Sequence, residues 1–185
     1  MKKTIAMLLA AAMSLSLVAC GGGASSSAPA TSGDASTPAA PAVQELPICL
    51  ASEPDTLDPA LNSALDGATM LVHLFSGLTK WSQDEAGNLL IVADAAEELV
   101  EGVVNEDGTV TYTYPLRDGL KWSDGQPVTA GDYEFAWKRA ASTSLGGDYG
   151  YMFEVVKGYP DDLAVTAKDD KTLEVTLNNE VRYWD

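Results

Sequence analysis

The sequence predicts a mixed α/β fold, and two strand patterns and one capped helix carry that prediction. In residues 110–116 apolar side chains alternate with threonines and a proline, which is the period of two of a half-buried strand. Residues 173–177 alternate in the same way. Residues 129–140 instead have helical spacing, and Thr129 and Asp132 stand at the two positions of a capping box. The chain of 185 residues is long enough for one domain with a sizeable core.

Two turn dipeptides, Asp118-Gly119 and Asp124-Gly125, join the first strand to the helix. Such pairs favour turns because glycine adopts a positive φ without a steric penalty. Trp122 lies between the turns, and Trp137 lies on the apolar stripe of the helix. We expect both indole rings to pack the interior of this unit.

Elsewhere the patterns predict one more strand and two more helices. Residues 46–51 form an apolar run that predicts a buried strand, with Cys49 as a small hydrophobe. Residues 61–73 have helical spacing, and Asn62 or Ser63 can cap that helix. Residues 91–100 predict a second, shorter helix.

Turn-forming residues arrange the other strands as hairpins. The predicted hairpins span residues 79–90, residues 103–104 with the strand from Val110, and residues 163–177. Carboxylate pairs such as Asp169-Asp170 lie at these turns, where they are more often solvated turn formers than acid-base pairs or calcium ligands.

The amino-terminal residues have the pattern of an export signal. Lys2 and Lys3 precede an apolar run over residues 5–18, which is too short to span a bilayer comfortably. The run ends in Leu-Val-Ala-Cys, which resembles a bacterial lipobox and implies cleavage before Cys20 and a lipid on its sulfur. The alternative is an ordinary signal peptide with an incidental cysteine. We therefore predict a signal peptide at residues 1–19 and a lipidated cysteine with a flexible tether, rich in Gly, Ser and Pro, at residues 20–45.

Composition excludes several functional classes. The formal charge of -16 argues against nucleic acid as a partner, because a phosphate binder needs a basic face. His73 is the only histidine, and the chain has no G-x-S-x-G, P-loop or G-x-G-x-x-G motif. We therefore predict no enzyme activity, no cofactor and no metal site. His73 is expected to be a packing residue rather than a nickel ligand, and Cys49 a core residue rather than a catalytic thiol.

Four sequence motifs resemble the extracellular solute-binding proteins of the peptide/nickel ABC-transporter family. Residues 116–140, LRDGLKWSDGQPVTAGDYEFAWKRA, resemble the family's signature region. Residues 53–59 resemble its E-P-x-T-L-D-P motif, and residues 165–177 resemble its V-K-A-x-D-D-K-T-L-E-V-T-L motif. Residues 74–78 resemble its L-F-E-G-L motif, although Ser76 replaces the glutamate.

This resemblance implies a periplasmic-binding-protein-like fold of type II, two-lobed when complete, and a receptor rather than an enzyme. It assigns residues 46–75 to the first segment of lobe I, residues 76–178 to a small inserted α/β domain, and residues 179–185 to the start of the return to lobe I. The chain would then cover the family's first third and one wall of the cleft, so we expect it not to bind peptide with full affinity.

The resemblance also implies which residues bind the ligand. The backbone that contacts peptide in the family falls on Ser63, Ala64 and Leu65, and the family's S-P-Y-A-Y loop falls on residues 147–151, with Tyr149 and Tyr151 as its tyrosines. A helix cap is the alternative role for Ser63, and plain packing is the alternative for the two tyrosines.

The function implied is a lipid-anchored, monomeric component of an ABC importer on the outer face of the cell membrane or its periplasmic side. It would capture peptides and deliver them to a membrane permease. Alternatives are a relative that binds nickel chelates, haem or sugars, and a surface lipoprotein that adheres or signals without transport. A hydrolase of cell-wall peptides is a weaker alternative, because no nucleophile-base pair is visible.

Overall fold

The structure, a computed structural model, describes residues 45–184 and confirms the mixed α/β prediction. Its elements, in chain order, are α1 (Leu65–Leu74), β1 (Thr79–Gln83), β2 (Leu89–Ala93), β3 (Val103–Val104), β4 (Val110–Pro115), α2 (Ala130–Ala141), a short 3₁₀ helix (Gly150–Phe153), β5 (Val165–Asp169) and β6 (Thr172–Leu177). Residues 1–44, which contain the predicted signal peptide, Cys20 and most of the tether, lie outside the described residues.

An antiparallel sheet with the strand order β3-β4-β6-β5 carries the core. The alternating residues of β4 and β6 turn one face inward, as the sequence predicted, and Tyr112 lies opposite Val175 while Tyr114 lies opposite Leu173. The fully buried side chains of largest volume are Leu173, Leu177, Val110, Val156, Val165 and Val175. The strand predictions for residues 110–116 and 173–177 are therefore confirmed, as are the hairpins β3-β4 and β5-β6.

Helix α2 packs against β5 and β6 and begins at the predicted capping box. The amide of Thr129 donates to the Asp132 carboxylate at 2.7 Å. Along the helix, Glu134 Oε2 accepts a hydrogen bond from the amide of Ala167 at 2.7 Å, which ties α2 to β5. Trp137 is half-buried against the core, as predicted, with its ring centroid 5.6 Å from that of Phe153.

Trp184 closes the core in a way that the sequence did not indicate. Its indole Nε1 donates to the hydroxyl of Tyr114 at 2.8 Å. Its ring centroid lies 5.8 Å from that of Trp137 and 6.0 Å from that of Tyr112. The aromatic residue near the end of the described chain therefore packs on the small sheet.

The hairpin β1-β2 forms a separate two-stranded sheet, and the helix predicted for residues 91–100 is wrong. Strand β2 continues to Ala93, after which the amide of Ala96 donates to the carbonyl of Leu78 at 3.1 Å. The amide of Glu97 then donates to the carbonyl of Pro115 at 2.7 Å. Because these amides find acceptors at Leu78, just before β1, and at Pro115 of β4, the helical spacing of their side chains does not decide their conformation.

Two further expectations about burial are wrong. Residues 46–51 are not a strand, and Cys49 is exposed. An apolar run becomes a buried strand only beside a neighbour that accepts its backbone hydrogen bonds, and none of the described strands pairs with this segment. Trp122 was expected to pack inside but is 42% exposed. It lies in a tight turn in which the amide of Gly125 donates to the carbonyl of Trp122 at 2.9 Å.

Candidate functional site

The first predicted contact segment, residues 63–65, lies at the amino terminus of α1. Ala64 is the residue that precedes the helix, and no side chain caps it, so the predicted cap at Asn62 or Ser63 is wrong. Asn62 turns inward instead, and its Nδ2 donates to the carbonyl of Ala64 at 3.1 Å. The Asn62 side chain fits in this position because residue 67 is a glycine, since a Cβ there would lie 1.9 Å from Asn62 Oδ1. Ser63 consequently faces solvent rather than the helix end.

Leu65 lines a cleft of about 250 Å³ between the start of α1 and the extended chain that precedes it. The remaining lining residues are Cys49, Leu50, Ala51, Ser52, Asp66 and Thr69. The hydroxyl of Ser52 donates to the carboxylate of Asp66, and this hydrogen bond lowers the pKa of Asp66. The cleft therefore has an apolar wall at Leu65, which is 84% exposed, and a charged, hydrogen-bonded wall at Asp66.

The second predicted segment, residues 147–151, is a turn that leads into the 3₁₀ helix. The amide of Gly150 donates to the carbonyl of Gly147 at 3.1 Å and closes the turn. The side chains of Tyr149 and Tyr151 are 48% and 56% exposed, and their ring centroids lie 6.2 Å apart at an angle of 51°. Neither ring belongs to the buried core, although the nearby Phe153 packs against it.

An ion pair and a close backbone contact join the chain that precedes α1 to helix α2 and to the turn at Gly147. Asp58, which precedes α1, accepts hydrogen bonds from Nη1 and Nη2 of Arg139 at 2.8 Å and 2.5 Å. The same carboxylate accepts the amide of Ala60 at 3.0 Å. Gly147 lies against Ala60, since a Cβ at position 147 would lie 2.4 Å from the Ala60 carbonyl oxygen. We call Asp58, Ala60, Arg139 and Gly147 the Asp58 junction.

The Asp58 junction also sets the charge of its carboxylate. The hydrogen bonds from Arg139, and after them the amide of Ala60, hold the pKa of Asp58 below its ordinary value. The two residues are 81 positions apart. No spacing rule for helices or strands pairs residues at that separation, so sequence reasoning missed the contact although both residues belong to motifs that it had singled out.

A larger groove of about 490 Å³ lies on the outer face of α2, lined by Gly131, Glu134, Phe135, Lys138, Arg139 and Ser142. Its charged side chains are already paired, because Lys138 contacts Glu134 at 2.6 Å and Arg139 holds Asp58. None of the predicted contact residues lies on it. The predicted contact residues lie instead at the Leu65 cleft and in the turn of residues 147–151, and their role in binding stays a prediction.

Other candidate chemistry finds little support in the part of the chain that the structure describes. His73 is exposed in the last turn of α1, so its predicted packing role is wrong. Within residues 45–184, no three His, Cys, Asp or Glu side chains are grouped so that they could hold a metal ion. Over the same residues, neither helix has the length and apolar character needed to cross a membrane.

Comparison with known proteins gives matches over most of the described chain. The family model for bacterial extracellular solute-binding proteins, family 5, middle region, matches residues 91–184. The oligopeptide-binding protein OppA of Bacillus subtilis is 36% identical over 149 residues, which are 75% of this chain and 26% of that protein. The probable deoxycholate-binding periplasmic protein YgiS of Escherichia coli is 36% identical over 144 residues, which are 72% of this chain and 25% of that protein.

The fold matches solved structures as well. The structure of OppA from Haemophilus influenzae in complex with the peptide RPPGFSPFR is 31% identical to this chain, with a TM-score of 0.57 over 71% of this chain and 26% of that one. The structural neighbours are type II periplasmic binding proteins, so the predicted fold type is confirmed. The chain spans about a quarter of the length of the relatives that it matches.

Proposed function

Because the chain belongs to the family 5 bacterial extracellular solute-binding proteins, we propose that it is part of the substrate-binding component of an ABC importer and that its cargo is peptide. Relatives at 36% and 35% identity are named for oligopeptide and dipeptide binding, which supports this choice of cargo. A receptor of this kind binds its ligand and performs no chemistry on it.

The geometric observation that carries the proposal is the Asp58 junction. It joins the chain that precedes α1 to residues 147–151, which we call the tyrosine turn, through the contact between Ala60 and Gly147. An extended peptide is recognised through backbone hydrogen bonds and separate side-chain pockets. In the first turn of α1 the Gly67 amide donates to Asp66 Oδ1 at 3.2 Å, and the amides of Leu65 and Asp66 precede the first backbone hydrogen bond of the helix, which Ala68 makes. The cleft at Leu65 and the exposed rings of Tyr149 and Tyr151 provide apolar surface.

A titration followed by nuclear magnetic resonance tests peptide binding. We expect trialanine, added to the ¹⁵N-labelled 185-residue chain, to shift the amide signals of residues 63–65 and 147–151 in a saturable manner. Deoxycholate, chosen because one relative is named for it, and a nickel chelate serve as competing cargoes. If either shifts these signals at lower concentration than every peptide tried, the peptide assignment is wrong.

We further propose that lipid on Cys20 anchors the protein to the membrane and that the closed, loaded form docks on a permease. Capture would shift an equilibrium between open and closed forms, and the permease would bind the closed one. The protein would act as a monomer on the outer face of the membrane. Several acyl chains on one residue anchor a protein durably, because each buried methylene contributes about 0.8 kcal/mol.

Labelling with radioactive palmitate in a bacterial host tests the anchor. The Cys20→Ala variant is expected to lose the label and to leave the membrane fraction. Cys49 is the only other cysteine, and the structure exposes its thiol, so Cys49→Ala is the matched control and should keep both label and membrane association. Equal labelling of the wild type and Cys20→Ala would contradict the assignment.

A further inference from the structure

We infer that the tyrosine turn, residues 147–151, accepts a cationic side chain of the ligand, so that the protein prefers peptides that carry lysine or arginine at this position. The inference rests on the proposed function and specifies its substrate class. It depends on three observations: the arrangement of the two rings, a carboxylate without a partner among the described residues, and the pairing of Arg139 and Lys157 with other carboxylates.

The two rings form an open aromatic corner. Tyr149 and Tyr151 are each about half exposed, and their planes meet at 51° with 6.2 Å between centroids. A lysine ammonium or an arginine guanidinium is attracted to the face of a tyrosine when it lies within about 6 Å of the ring centroid. Each of the two exposed rings can offer such a face to a cation. Met152 beside them is 64% exposed and extends the apolar surface for the methylenes of a long side chain.

Asp148 adds a negative charge to the same turn. It occupies the second position of the turn that the Gly150 amide closes, immediately before Tyr149. Among residues 45–184, the Asp148 carboxylate has no hydrogen-bond or ion-pair partner, and its side chain is exposed. An acidic group beside aromatic faces favours a cation over a neutral or anionic side chain.

Two cations of the elements on either side of the turn in sequence are paired with other carboxylates. Arg139, in the Asp58 junction behind Gly147, gives both terminal nitrogens to Asp58. Lys157, which follows the 3₁₀ helix, contacts Asp107 at 3.3 Å. Neither is therefore paired with Asp148. The formal charge of -16 adds a general attraction for a cationic ligand.

A pair of peptides that differ in one charge tests the inference. Ala-Lys-Ala and Ala-norleucine-Ala have side chains of similar length, and only the first carries an ammonium group. Both are titrated into the full 185-residue chain and followed by the amide signals of residues 147–151. We expect the lysine peptide to bind about three to ten times more tightly in low salt, which is the range of one exposed cation-aromatic contact plus one exposed ion pair.

Two variants assign the preference to its source. Asp148→Asn and Tyr149→Leu should each reduce the ratio of the two affinities. Glu106→Gln is the matched control, because it removes one negative charge from another exposed turn and should keep the full preference. Dispersed amide spectra confirm that each variant is folded. Added salt should weaken the preference in the wild type.

The possible results separate the inference from the function on which it rests. Equal affinities for the two peptides in the wild type, or a preference that Asp148→Asn and Tyr149→Leu both leave intact, would overturn the inference and leave peptide binding in place. If neither peptide shifts any signal, the proposed function fails, and the inference fails with it.

Discussion

Asp58 connects parts of the chain that are distant in sequence, and its contribution to stability should depend on pH. Arg139 and the amide of Ala60 stabilise the ionised carboxylate, which lowers the pKa of Asp58 in the folded protein. A carboxyl group with a lowered folded-state pKa stabilises the protein fully above its unfolded pKa, about 3.9, and loses that contribution as the pH falls through the folded value.

We therefore expect Asp58→Asn to lower Tm at pH 6 and to have progressively less effect as the pH falls from 5 towards 2. The physical reason is that protonation already weakens the bond to Arg139 in the wild type at low pH. Thermal unfolding followed by circular dichroism at each pH measures the difference. Asp55→Asn is the control, because Asp55 is exposed and, among the described residues, makes no bond with its side chain. A Tm difference between wild type and Asp58→Asn that is constant with pH would contradict this account.

Position 147 requires a glycine because its backbone lies against the backbone of Ala60. A Cβ at this position would lie 2.4 Å from the carbonyl oxygen of Ala60, and a backbone atom cannot move aside as a flexible side chain can. The residue therefore fixes the distance between the tyrosine turn and the chain before α1.

The Gly147→Ala variant should lower the free energy of unfolding by about 1–3 kcal/mol, since the extra methyl group forces the turn away from Ala60. Urea denaturation measures this, and the amide signals of residues 147–151 should shift. Gly131→Ala, in the first turn of α2, is the control: its Cβ would have normal contacts, and alanine should be neutral or stabilise the helix by up to about 1 kcal/mol. Equal effects of the two changes would rule out the close contact as the cause.

At the level of single elements, α1 and α2 differ in what holds them. Helix α2 has a capping box and two buried alanines at its ends, Ala130 and Ala141. Helix α1 has no side-chain cap, and Gly67 is its only buried residue. The α2 start can therefore be weakened by one side chain, whereas α1 depends on the packing of Asn62 against Gly67.

Removal of the α2 cap provides the test of this difference. In Asp132→Ala the amide of Thr129 loses its acceptor, and the free energy of unfolding should fall by about 1 kcal/mol, within a range of about 0.5–2. Chemical denaturation followed by tryptophan fluorescence reports the change. Glu106→Ala, at an exposed turn, should stay within about 0.5 kcal/mol of the wild type. A loss no larger than that of Glu106→Ala would show that the cap does not stabilise the domain.

Across the whole molecule, stability is concentrated in the four-stranded sheet and the elements that cover it. The core cluster draws on β4, β5, β6, α2 and the chain between the 3₁₀ helix and β5. By contrast, the exposed large apolar residues include Leu65 and Val72 of α1 and Trp81 and Leu89 of the separate hairpin. Loss of packing in the sheet should therefore affect the entire unit, and loss at the hairpin surface should not.

We expect Leu173→Ala to lower the free energy of unfolding by about 2–5 kcal/mol, because Leu173 is 0% exposed in β6 and its truncation leaves a cavity. Leu89→Ala removes the same atoms from a side chain that is 66% exposed and should change stability by less than about 0.5 kcal/mol. Urea unfolding of both variants gives the comparison. Similar losses in the two would show that the sheet is not the main source of stability.

The sequence predicted best the elements whose signals are local. The strand from Val110 and the capping box of Thr129 and Asp132 were recognisable because their periodicity and caps lie within a few residues. The helix predicted for residues 91–100 failed because apolar spacing does not reveal which backbone acceptors lie nearby. For the candidate site, the resemblance pointed to residues 63–65, Tyr149 and Tyr151, and it did not indicate the contact between Ala60 and Gly147.

Local pattern, composition and the four motifs were sufficient for the mixed α/β class, the family, and the choice of a binding protein over an enzyme as the expectation. These depend on residue identity and short spacing, which can be read along a single chain. Tertiary packing alone placed Trp184 on the core, exposed Cys49 and Trp122, and joined Asp58 to Arg139 beside Gly147. Such contacts join residues far apart in sequence, and they depend on which surfaces and hydrogen-bond partners meet when the elements pack together.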